Sequence, residues 1–73
     1  MRHEMHVMNK TGHTTVTWDR NNQAEIASAL SSFESLTGQG YRAFRMDGER
    51  GHRMDIFDPA AEKVVMVPQL RGG

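Results

Sequence analysis

The residues best suited to chemistry in this chain of 73 are its last four, Leu70-Arg71-Gly72-Gly73. Glycine loses more conformational entropy on ordering than any other residue and packs no side chain, so a folded core gains nothing from a closing Gly-Gly pair. At an average glycine usage of about 7%, such a pair arises at a given place in roughly one chain in 200. What the pair does offer is a backbone that can approach another surface closely.

Other reactive residue types do not form a working set. His3 and His6 invite a metal ion, but an odd spacing on a strand sends them to opposite faces. Asp47, Glu49, His52 and Asp55 lie in a glycine-containing stretch without a recognised cation-ligand spacing. Arg42, Arg45, Arg50 and Arg53 resemble a basic strip, but acidic neighbours make a salt-bridged surface the expectation. Ser28, Ser31, Ser32 and Ser35 have no base in register. No nucleophile or acid–base pair emerges, so the chain is expected not to be an enzyme, and neither a metal nor a bound cofactor is expected.

Nine Lys and Arg balance nine Asp and Glu. Nucleic-acid binding normally shows a basic excess, and none is expected here. There are no cysteines, which excludes disulfides, thiolate metal sites and a cysteine nucleophile. No apolar run approaches the ~20 residues of a membrane helix, and the N-terminal residues lack a signal-peptide core. The expectation is a cytoplasmic protein without membrane contact. Its length allows one small domain, set at residues 1–68, followed by a flexible tail at 69–73.

The elements that would position the tail follow in order. Residues 5–8 and 14–18 read as a hairpin, with Thr14, Val16 and Trp18 on one face and Gly12 in a short loop closed by a bulge. Asn22 and Glu25 have capping-box spacing. Ile26, Ala29, Leu30, Phe33 and Leu36 then form an apolar stripe on a helix of about 16–18 residues, roughly 25 Å long. Gly38 and Gly40 are its stops. Residues 41–46 read as a strand with Phe44 and Met46 facing in and Arg42 beside them burying its stem. Residues 47–52 read as a loop, 54–57 as a fourth strand, and Asp58-Pro59-Ala60-Ala61-Glu62 as a turn. Lys63-Val64-Val65-Met66-Val67 does not alternate, which suits a central strand covered on both faces. The expected fold is α+β, in the order β-β-α-β-β-β, with one helix packed across one mixed sheet.

This order, the first turn Thr11-Gly12-His13-Thr14 and the closing Leu70-Arg71-Gly72-Gly73 resemble the ubiquitin-like proteins of β-grasp fold. The topology spans the chain, whereas the sequence likeness is confined to the first turn and the tail. The segment 47–62 has no counterpart, and few lysines are present for building chains.

The resemblance implies a protein modifier. Gly73 would be the acyl donor, activated by a partner enzyme with ATP, and Gly72 would keep its path narrow. Arg71 would meet an acidic pocket on the activating enzyme and Leu70 would be a small apolar anchor. Conjugating enzymes would be further partners, and Lys10 and Lys63 would be candidate acceptors. The sheet face away from the helix would recruit proteins through His6, Met8, Val65 and Val67. Two alternatives stand beside this reading. One is a small subunit, adaptor or inhibitor acting through its sheet face or edge. The other is a sulfur carrier with a C-terminal thiocarboxylate.

Overall fold

Capping and periodicity decide where the helix lies. Asn22 is its N-cap, and its Oδ1 accepts a hydrogen bond from the Glu25 amide at 3.1 Å. The reciprocal half of a capping box is missing, because Glu25 turns to the Asp19 amide at 2.8 Å and to the Arg2 guanidinium at 3.3 Å. That exchange ties the helix start to both strands of the first hairpin. The helix, α1, runs Gln23–Gly38 and its 16 residues match the expected length.

The computed structural model describes residues 2–9 and 12–68. Around α1 lie β1 (Arg2–Asn9), β2 (Gly12–Asp19), β3 (Tyr41–Asp47), β4 (Arg50–Met54) and β5 (Lys63–Pro68). The strands form one sheet in the order β2-β1-β5-β3-β4. β1 and β5 are parallel, and the other neighbours are antiparallel. The fold is therefore α+β, with one mixed five-stranded sheet and one helix across it. Among the described residues no helix is long and apolar enough to cross a membrane.

The core fills the space between α1 and the sheet. Ala29 and Phe33 are buried from the helix, and Met5, Val7, Trp18, Ala43, Val64 and Met66 from the strands. Ile26 and Leu36 are partly buried, but Leu30 leaves the expected stripe and stays 38% exposed. Phe57, which lies after β4, closes the core against Trp18 and Phe33, at centroid distances of 5.1 and 5.5 Å. The segment holding it is fastened to the first hairpin. Trp18 Nε1 donates to the Pro59 carbonyl at 2.9 Å, and His3 Nδ1 pairs with the Ala61 carbonyl at 2.8 Å. His3 also stacks on Trp18 at 5.6 Å. The expected turn at 58–62 forms, with Asp58 Oδ1 accepting from the Ala60 amide.

Several expectations are corrected. The first hairpin pairs without a break from Arg2↔Asp19 to Asn9↔Gly12, so the described residues contain no bulge. Residues 47–52 are not an open loop. Gly48 and Glu49 make a two-residue turn between the paired Asp47 and Arg50, and Gly48 supplies the left-handed conformation at φ +64°. β4 therefore covers 50–54 rather than 54–57, and Ile56 lies beyond it, 83% exposed.

The largest correction concerns β3. Ala43 is the inward residue, aligned with the buried Met66 of β5 and Met54 of β4. Phe44 and Met46 face the other side of the sheet. Ala43 lies beneath the helix, and the bulky side chains take the uncovered face. β5 is central as expected, but only its Val64 and Met66 face is covered, and Val65 and Val67 stay half-buried.

Candidate functional site

Side-chain alternation brings the expected interaction residues to one surface, opposite α1. Met5 and Val7 point to the core, so His6 and Met8 point away from it. Val64 and Met66 likewise turn Val65 and Val67 outward. The strand register assembles a row that crosses all five strands, Thr15–His6–Val65–Phe44–Arg53. Next to it, Met8 is aligned with His13, and Val67 with Arg42. On the other side Glu4 is aligned with Lys63, and Met46 with Gly51.

Phe44 and Met46 belong to this face, and the sequence reading placed them in the core. Arg42 and Arg45 put one arginine on each face of β3, so the sequence of the strand does not decide between the two faces. Gly51 lies beside Phe44 and Met46, and a Cβ there would meet Met46 Sδ at 3.4 Å and Phe44 Cβ at 3.8 Å, ordinary contact distances. The centre of the face thus carries Met8, Val65, Val67, Phe44 and Met46. Two of these are methionines, whose unbranched thioethers adapt to irregular partner surfaces.

Polar groups frame that centre. His6 Nδ1 lies 3.4 Å from Thr15 Oγ1, and its ring is 6.4 Å from that of His13. His6 Nε2 lies 3.2 Å from Glu4 Oε1. That contact has the distance of an ion pair but not the geometry of a hydrogen bond, which leaves the buried Nε2 without a hydrogen-bond partner among the described residues. The expected separation of His3 and His6 holds: His3 is buried on the helix side and His6 lies on the open face. Among the described residues no group of three His, Asp or Glu is placed to hold a metal ion.

The arginines do not form a continuous strip. Arg42 and Arg53 lie on the open face, whereas Arg45 shares the parity of Ala43 and lies on the helix side. Arg53 pairs with Asp55 at 3.3 Å and Arg45 with Asp58 at 3.9 Å. The open face has an apolar centre and a mixed-charge rim.

The other expected site residues stand at the edges of this description. Lys63 opens β5 on the same face and is exposed. β5 ends at Pro68, aligned with Tyr41 of β3. Lys10, Leu70, Arg71, Gly72 and Gly73 lie outside the described residues. No protein-family model, curated protein or solved structure matches the chain.

Proposed function

We propose that this chain is a ubiquitin-like protein modifier of β-grasp fold, conjugated to target amines through Gly73. The mixed sheet of order β2-β1-β5-β3-β4 with one helix across it is compatible with that fold. One observation carries the reading. The central strand β5 bears Val65 and Val67 of the open face, and the sequence leaves it at Pro68 for Leu70-Arg71-Gly72-Gly73. A recognition surface and a glycine acyl donor are thereby joined by one strand.

The chemistry requires a free carboxylate on Gly73. A carboxylate acylates poorly until it is adenylated, so a partner enzyme brings ATP and then receives the acyl group on a thiol. Gly72 and Gly73 let the backbone pass where side chains would collide. Arg71 pairs with carboxylates of the activating enzyme through its planar fork, and Leu70 anchors beside it. Conjugating enzymes follow as further partners, with the target lysine, or Lys10 or Lys63 of another copy, as acceptor. The proposed setting is the cytoplasm, where the ATP-dependent steps take place. In this reading the catalytic groups and the nucleotide belong to the partner enzymes.

The test is the fate of an N-terminally tagged chain in its native host. Conjugates that resist thiols and vanish when Gly72 and Gly73 are deleted support the modifier. A chain that instead gains the mass of sulfur replacing one oxygen is a sulfur carrier. The open face favours a second reading, because Phe44 and Met46 enlarge the apolar surface beyond His6, Met8, Val65 and Val67. In that reading the chain is a small binding subunit, and it co-purifies unmodified with one protein whether or not the glycines are present.

A further inference from the structure

The two edges of the sheet are built differently. β4 is five residues long and carries Arg50 and Arg53, the charged, short form that discourages strand addition. β2 is eight residues long and pairs with β1 without interruption. From Gly12 through Trp18 it contains no lysine, arginine, proline or carboxylate. Its far end is capped, because the Arg2–Glu25 pair reaches Thr17 Oγ1 at 3.1 Å and the Asp19 amide at 2.8 Å, whereas the stretch from His13 to Val16 has no bulge and none of those residue types.

The register identifies which groups that edge offers. The Glu4 amide of β1 faces β5, where it donates to the Glu62 carbonyl at 3.1 Å. Alternation then turns the backbone groups of Met5 and Val7 toward β2, to meet Val16 and Thr14. His13, Thr15 and Thr17 therefore direct their N–H and C=O outward from the edge, where no other strand of the described residues lies.

We propose that this edge pairs with a second copy of itself, β2 against β2 in antiparallel register about Thr15, to make one continuous sheet from two chains. His13 then faces Thr17 of the other copy and Thr15 faces its own equivalent, each pair exchanging both backbone hydrogen bonds. From Thr14 to Val16 no charged side chain opposes another, and threonine pairs well across strands; Arg2, which donates to Thr17 Oγ1 at 3.1 Å and pairs with Glu25, stands at each end of the span. The zero formal charge of the chain leaves little long-range repulsion between copies. Between these pairs, Thr14 meets Val16 on the helix side. There an open groove of about 560 Å³, lined by Thr14, Val16, Ser31, Ser32, Ser35 and Leu36 among others, gives the partner's side chains room. A two-fold pairing closes on itself, whereas β2 against the arginine-bearing β4 would propagate as a filament.

Sedimentation of the full chain from micromolar to millimolar concentration tests this. The mass should rise from the 8.3 kDa of one chain toward that of two, while the amides of His13, Thr15 and Thr17 gain protection from hydrogen exchange. Thr15→Pro removes an outward amide but none that bonds to β1, and should stay monomeric with its fold intact. Thr15→Lys sets like charges face to face and should weaken association by about tenfold or more, less so in high salt. A single-chain mass throughout, or a dimer indifferent to both variants, would overturn the proposal. So would growth past two copies. Protection of the same amides in a chain that remains monomeric would assign the edge to a foreign strand and would equally overturn it.

Discussion

Replacing Phe33 and Phe44 in turn by alanine tests the side-chain parity of β3, on which the composition of the open face depends. Phe33 is 2% exposed between α1 and the sheet, against Phe57 at 5.5 Å. Truncating such a phenylalanine costs about 3–5 kcal/mol, the sum of lost burial and the cavity left behind. At roughly 0.05–0.15 kcal/mol per residue, a chain of 73 has about 4–11 kcal/mol in total, so Phe33→Ala should leave it barely folded or unfolded. Phe44 is half-buried on a face that α1 does not cover. Complete burial of a phenylalanine contributes about 1.5–3 kcal/mol. With partial burial and no enclosed cavity, Phe44→Ala should cost about 1 kcal/mol, or about 4–8 °C in melting temperature. Urea unfolding followed by far-UV circular dichroism, with fluorescence of the fully buried Trp18 as a second probe, reads both variants. A loss for Phe44→Ala equal to or larger than that for Phe33→Ala would put Phe44 in the core and refute the assigned parity.

Gly48→Ala should cost about 1–2 kcal/mol through backbone strain alone, because φ is +64° and the site has open space around it. Gly48→Asn should be milder, and thermal melts of the two variants check the order. His3→Phe keeps the stack on Trp18 but leaves the Ala61 carbonyl without its side-chain partner, at a cost of about 1–3 kcal/mol. Faster hydrogen exchange across residues 58–62 is the expected signature. Met8→Ser and Val65→Ser should each reduce capture of protein partners while leaving Gly73-dependent activation by a partner enzyme intact, which comparing pull-downs with a thioester assay would read.

The helix was legible because several independent local signals coincide at its ends and along one face. Asn22 caps it, Ala29 and Phe33 fall on its buried side, and it closes on Gln39 with Gly40 taking the positive φ just beyond. The central place of β5 was legible from its unbroken apolar run, although the reason differs. Its second apolar face is open surface rather than a second packed layer. Parity in β3 was not legible, because burial there follows the closeness of the helix rather than side-chain size. Alanine at position 43 fits beneath α1 where phenylalanine would not. β4 was misplaced at 54–57 because the charged and glycine residues of 50–53 read as loop composition. Only the pairing with β3, from Asp47↔Arg50 to Ala43↔Met54, makes it a strand. Of the candidate site, the positions His6, Met8, Val65 and Val67 followed from a two-residue period alone. Phe44 and Met46 required knowledge of which strand lies beside which.

The most direct test of the modifier reading is mass spectrometry of tryptic peptides from conjugates isolated through an N-terminal tag in the native host. Trypsin cleaves after Arg71, so a lysine conjugated to this chain keeps Gly72 and Gly73 as a remnant. The account predicts Gly-Gly remnants on lysines of other proteins, lost when Gly73 is deleted and retained when only the open face is altered. An abundant, folded chain that yields no such remnants, with Gly73 recovered unmodified, would contradict it.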